Sequence, residues 1–397
     1  MPPPQAGKFL EKFKRDVLPR DAQMVCTRWT AEGKKCRQLQ HLSLGAFDAF
    51  ITKEYHRHWH DKGRVYLNGT SFSEPKRKAT RQEEKKVANL RPGLCTEAKE
   101  IQAYLNNLPP NLFSRAVSDH FAKACDVASQ LPRSGKMSAE LARRVQLGIL
   151  KAIESQPKPF YHATEEENTV RLFAAQSIPN LKGSIRRVLT SDWHEADLKS
   201  CQMAICARLW GIPELEDFLA SRGSFWNFVC DQLAIPVQQR EGFIPFVKTA
   251  VYSICFGKER PHVQGALTRG CGERDRSLQF VQIPLIRTLF EAREKALLEI
   301  EKKGGMATPF GKACEVSEER LPRQIMAEVA QAWEMKLIYP AFELARTAPD
   351  FTITLYQFDG ISVHFKRREE SWKRHIEQCV LKEAMKHGFN TFTEWKE

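Results

Sequence analysis

Three groups of side chains in this sequence could act together in one reaction. The first is DWHEADLK, Asp192 to Lys199, with the acids Asp192, Glu195 and Asp197. Ile185, Val188 and Leu189 precede it, and Leu198, Cys201, Ile205 and Leu209 follow at helical spacing until Gly211 and Pro213. The pattern predicts a buried strand that hands over to an amphipathic helix at Asp192. A carboxylate at a strand end projects from a rigid edge and suits a metal ion held in fixed geometry. Acids at a helix start also complement its dipole, which requires no chemistry of them.

The second group is FVKTAVYSICFGKER, Phe246 to Arg260, where Lys248, Tyr252 and Phe256 fall at i, i+4 and i+8 and Gly257 stands as a C-terminal cap. One helix face then carries an ammonium for a triphosphate and two rings for a sugar and base. Aromatics at this spacing also serve as core, with the lysine snorkelling past them. The third is FTITLYQFDGISVHF, Phe351 to Phe365, two alternating runs joined across Asp359-Gly360, a strong hairpin signal. A hairpin-tip acid and a strand-end acid in one sheet can share two magnesium ions, the arrangement needed for in-line nucleotidyl transfer.

These groups need a scaffold. The 397 residues, 42% hydrophobic, suffice for a core and two or three subdomains, and the net charge of +13 points to a polyanionic partner, most simply nucleic acid. No run approaches the ~18 apolar residues of a membrane span, and MPPPQAGKFLEKFKR lacks the apolar segment of a signal peptide, so a cytoplasmic protein without membrane contact is expected. Among eleven cysteines, Cys125, Cys201, Cys206 and Cys255 fall in apolar helical patterns and are expected to be reduced and buried. Cys26, Cys36, His41, His56, His58 and His60 supply zinc-type ligands, but without the tight spacing of a knuckle, and a solvated face is the alternative. Residues 75–93 read as a basic linker or flap, and Thr96 to Ile153 as helices that could grip a duplex. Arg171, Lys182, Arg186 and Arg187 gather near the strand expected before Asp192, which suits a phosphate backbone as well as an ordinary basic loop. Further on, helices are expected over residues 280–300 and 323–346, with a turn at Thr308, Pro309 and Gly311 between them; Arg323 and Gln331 lie off the apolar stripe of the second helix.

From RLFAAQSIPNLKGSIRR through DWHEADLK, the Lys248-Tyr252-Phe256-Gly257 series, TPFGK and the Arg323 to Gln331 helix to YQFDGIS, residues 160–397 resemble family A DNA polymerases. In that family's first acidic motif an aspartate is followed five positions later by an acid, here Asp192 and Asp197. The chain departs from the pattern at three places. Ile244 stands where the family has an arginine, leaving Arg240 to substitute; Phe358, Asp359 and Gly360 replace His-Asp-Glu; and Phe256 replaces a tyrosine. A diverged, compact form similar to those of phages and mobile elements fits these changes.

The resemblance implies an α/β (α+β) right-hand polymerase with an antiparallel palm sheet, helical fingers and a helical thumb. Its expected division is an N-terminal basic region of unknown role over 1–95, thumb over 96–159, palm over 160–232, fingers over 233–319 and palm again over 320–397. It implies primer extension with dNTPs by a monomer on a DNA primer-template, with replication accessory proteins as further partners and no proofreading exonuclease domain. Asp192 and Asp359 would hold two Mg2+ ions, with Mn2+ as a substitute, and Lys248 would hold the triphosphate and protonate the leaving group. Lys248, Tyr252, Phe256, Gly257, Asp197 and Arg240 would form the nucleotide site, with Asp197 as a gate against a 2′ hydroxyl. Arg171, Lys182, Arg186, Arg323 and Gln331 would touch the primer-template. A single-subunit RNA polymerase or primase, and a catalytically inactive nucleic-acid-binding protein, are the alternatives.

Overall fold

The computed structural model describes residues 24–29, 35–39, 65–67, 70–72, 94–132, 139–164 and 169–396. Its first strands, β1 (Met24–Trp29) with β2 (Lys35–Leu39) and β3 (Val65–Leu67) with β4 (Thr70–Phe72), form two antiparallel hairpins whose side chains are not described. Cys26 and Cys36 fall on them. His41, His56, His58, His60 and the basic stretch 75–93 lie outside the described residues.

Helices then follow where apolar residues recur at three and four. In α1 (Thr96–Asn106) the buried set is Ala98, Ile101, Gln102 and Leu105. Next come α2 (Pro110–Ser129), which opens with proline at its first turn, and α3 (Ala139–Ser155). A small hairpin, β5 (His162–Ala163) and β6 (Leu172–Phe173), leads to α4 (Gly183–Leu189). This helix occupies the run expected to be a strand. Ile185, Val188 and Leu189 are spaced by three and one, which puts them on one helical face, and Ile185 and Leu189 are buried there.

The strand comes later, as β7 (His194–Leu198), and hands over to α5 (Cys201–Trp210), which ends at Gly211 with φ 65°. A run of helices continues: α6 (Pro213–Ala220), α7 (Phe225–Gln232), α8 (Val237–Cys255), α9 (Arg260–Cys271), α10 (Arg274–Phe280) and α11 (Pro284–Lys303). They close around a core of their own that includes Met203, Val229, Val247, Ile254, Phe280 and Phe290. The hairpin β8 (Gly305–Ala307) and β9 (Ala313–Glu315) then returns the chain to α12 (Pro322–Thr347). Lys312 and Arg320 bind the buried Glu328 and hold that hairpin to the helix.

The chain finishes with β10 (Phe351–Tyr356), β11 (Gly360–Phe365), α13 (Glu369–His387) and β12 (Thr393–Trp395). The central sheet is antiparallel with strand order β10-β11-β7-β12. Ala196, Leu198, Ile361, Val363, Ile353 and Leu355 from it share one core with α12 and with residues of α1, α2 and α3. At the hairpin the structure departs from a two-residue Asp-Gly turn. Gln357, Phe358 and Asp359 make the connection, Phe358 takes the positive φ of 71°, and Gly360 is already the first residue of β11. Cys95, Cys125, Cys201, Cys206, Cys230, Cys255, Cys271, Cys314 and Cys379 are free, with Cys201, Cys206 and Cys255 buried and Cys125 half-buried. Among the described residues no helix is long and apolar enough to cross a membrane.

Candidate active site

The sheet brings Asp359 next to Asp197. Gly360 is the cross-strand partner of Asp197, and the Leu198 amide donates to the Asp359 carbonyl over 2.8 Å, so the two acids sit on adjacent strands at one end of the sheet. Gly360 leaves room there, because a Cβ at that position would overlap the Asp197 Oδ1 and push that side chain aside. Burial, followed by the charges of Glu334 and Asp197, pushes the Asp359 carboxyl up to about 7, against a lowering pull from Arg171. Asp359, Asp197 and Glu334 thus gather close enough to feel one another's charge.

Asp192 is not part of it. It lies in the turn between α4 and β7, with its side chain 65% exposed and 3.8 Å from His120. The length of β7, His194–Leu198, separates it from the Asp359 end of the sheet, roughly 13 Å. At that far end Ser191 shares a 2.9 Å hydrogen bond with the His120 ring. The structure thus brings Asp197, and not Asp192, next to Asp359. Both aspartates sit in DWHEADLK; an acid five residues on favours the first, whereas Asp197 has Gln202 at that distance.

Behind Asp359 lies a network that the sequence patterns passed over. Glu334, only 2% exposed, projects from α12 and accepts from Arg171 Nε over 3.1 Å, from a second Arg171 nitrogen and from the Gln202 side-chain amide. The Arg171 guanidinium also stacks 4.5 Å over the Phe358 ring, next to Asp359. Thr169 donates its hydroxyl to Gln331 over 2.5 Å, joining the same strand entry to α12. The detectable signal was an acid inside the apolar pattern of α12, flanked by Trp333 and Met335. Gln202, on the first turn of α5, is buried too, and its Oε1 has no hydrogen-bond partner.

The α8 face stands opposite. Tyr252 is half-buried, packs edge-on against Trp226 at 5.6 Å, and has its hydroxyl pKa raised by burial first and then by the charge of Asp359. Lys248, one turn earlier, is exposed with its ammonium 5.3 Å from the centre of the Trp226 ring. Phe256 caps the helix, and Gly257 follows with φ 79°. A Cβ on Gly257 would stand 2.9 Å from that of Arg323, so this glycine seats the end of α8 directly on the start of α12. Arg240 does not join Lys248. Eight residues of helix set them about 12 Å apart, and Arg240 pairs with Asp231 and donates to the Ile235 carbonyl over 3.2 Å.

Of the residues expected at a duplex, Arg186 is tied to the buried Glu195 at 2.5 Å and to the Leu181 carbonyl, and Arg171 to Glu334. Both neutralise buried acids, which is a positioning role. Arg323 is exposed, Lys182 half-buried, and Gln331 accepts from Thr169.

No protein-family model matches the chain, and no curated protein does. Among solved structures it is similar to the POL domain of Pol1 from M. smegmatis, in complex with DNA primer-template and dNTP, at 14% identity with a TM-score of 0.51. The likeness covers 79% of this chain and 71% of that one. The fold is a polymerase fold. Its antiparallel palm sheet carries Asp197 and Asp359, and the helical insertion between β7 and β10 carries Lys248 and Tyr252.

Proposed function

We propose that this chain is a template-directed DNA polymerase of the family A type, extending a primer 3′ end with dNTPs. The observation that carries the reading is the pairing of Asp197 and Asp359 on adjacent palm strands, facing a helix whose Tyr252 feels the Asp359 charge. The acidic cluster fits a divalent cation: two carboxylates of strands distant in sequence, one with its pKa raised by burial and by neighbouring acids, gain from a bound positive charge. Asp197 and Asp359 would hold Mg2+, with Mn2+ as substitute, and the bound metal would supply activation of a 3′ hydroxyl and neutralisation of a leaving pyrophosphate.

The chain's own residues do the positioning. Lys248 offers an exposed ammonium for the triphosphate and a proton for the leaving group, and Tyr252 and Phe256 offer rings to the sugar and base. Arg171 and Gln202 hold Glu334 in place behind Asp359, and Phe358 is pinned beneath the Arg171 guanidinium. Of the basic residues expected at the duplex, Arg323 is exposed and Lys182 half-buried, and both can reach phosphates of the primer-template.

Sugar choice moves with the aspartate. If Asp197 is the first acid of the motif, the gate position five residues on is the neutral Gln202 and not an acid. That favours keeping an RNA polymerase or primase as the second reading. Primer extension by the purified chain, with dNTPs or NTPs and with or without Mg2+, tests both. Magnesium-dependent extension that prefers dNTPs supports the first reading; preference for NTPs transfers the chain to the second; duplex binding without any extension leaves an inactive nucleic-acid-binding protein.

A further inference from the structure

A cation from the chain itself already stands on Asp197. Beyond β12 the ladder to β7 continues: Glu394 is opposite Asp197, Trp395 is opposite Ala196, and the Lys396 amide donates to the Glu195 carbonyl over 2.8 Å. By strand alternation Lys396 shares the face of Glu195 and Asp197, directly across from the first and diagonal to the second, a separation that a lysine side chain spans. Glu195 is already neutralised by Arg186 and Arg187, so the Lys396 ammonium goes to the Asp197 Oδ2. Glu394, the other acid on this edge, is likewise taken, by Lys199 at 2.6 Å.

The backbone that delivers Lys396 is firmly held. Trp395 donates its indole N–H to Glu377 of α13 over 2.8 Å, packs against Phe365 at 5.8 Å and lies under Lys373 at 5.6 Å. The ion pair itself is open to solvent: Lys396 and Asp197 are 38% and 33% exposed at the side chain. A fixed backbone with a long, partly solvated stem lets the same residue occupy the carboxylate and withdraw from it.

We infer that Lys396 is a built-in counter-ion that competes with a divalent cation for Asp197 and thereby sets the metal concentration the site requires. The inference rests on the reading of Asp197 and Asp359 as metal-holding residues. Lys396 is a positioning residue here, since it acts on a carboxylate and not on substrate.

Binding of Mn2+ to the full chain, measured by calorimetric titration at low ionic strength without nucleotide or DNA, tests it. Lys396→Met should bind Mn2+ on the order of fivefold more tightly than the wild type, the scale of a partly exposed ion pair. Lys396→Arg should stay within about twofold of the wild type, because the charge is kept. Unchanged or weaker binding in Lys396→Met, or an arginine variant that behaves like the methionine one, overturns the inference while leaving the metal site intact. If none of the three proteins binds Mn2+, both the inference and the metal-site reading fall.

Discussion

At Asp359, function and stability pull in opposite directions. Its carboxyl is raised to about 7 by burial and by Glu334 and Asp197, whereas an unfolded aspartate titrates near ~4. Between those values the folded chain binds the extra proton, so the stability linked to this group is present below about pH 4 and lost as pH rises through about 7. Asp359→Asn should therefore raise the melting temperature at pH 8, by on the order of 1–2 kcal/mol of stability, and give no such gain at pH 4. Calorimetric melts at the two pH values check this, and an equal gain at both would show that charge is not the cause. Asp359 itself was legible in the sequence because a short alternating hairpin announces its tip. DWHEADLK offers two aspartates, and strand register, with Gly360 across the sheet, brings the second of them, Asp197, beside Asp359. No local pattern encodes that choice.

Among elements, the contact that matters most is the seat of α8 on α12. Gly257 combines a positive φ with a 2.9 Å approach to Arg323, so Gly257→Ala meets backbone strain and a steric clash together. The substitution should cost roughly 1–2 kcal/mol and, by tilting the face that carries Lys248 and Tyr252, should raise KM for the nucleotide more than affinity for primer-template changes. Steady-state kinetics with each substrate varied in turn separates the two, and equal effects on both would argue for general loosening. Helices were readable wherever apolar residues kept a 3.6 period, as in α11 and α12, and the Lys248 to Gly257 series was readable as a face with a cap. The run at Ile185, Val188 and Leu189 was misread as a strand because short apolar runs do not separate helix from strand. The tie from Glu334 to Arg171 joins positions 163 apart in sequence, a pairing only the fold creates.

For the whole molecule, the net charge of +13 is the property that acts at long range. Binding to primer-template should weaken steeply and log-linearly with salt through counterion release, and Arg323→Ala should lower the slope by about one unit. Fluorescence anisotropy across a salt series measures both, and a flat response would remove the phosphate-tracking surface. Arg171 and Arg186 already serve buried acids, so the charge available to nucleic acid comes from other, exposed residues. The fold class was foreseeable from three motifs in order; what the motifs could not supply was which acid lies beside Asp359. The decisive measurement is single-nucleotide primer extension in Mg2+ by Asp192→Ala, Asp197→Ala and Asp359→Ala, with duplex binding measured alongside. Asp197→Ala and Asp359→Ala should lose extension by several orders of magnitude while all three still bind the duplex and Asp192→Ala retains activity within a few fold; loss of activity in Asp192→Ala with retention in Asp197→Ala would contradict the assignment of Asp197 and Asp359 as the metal-holding pair.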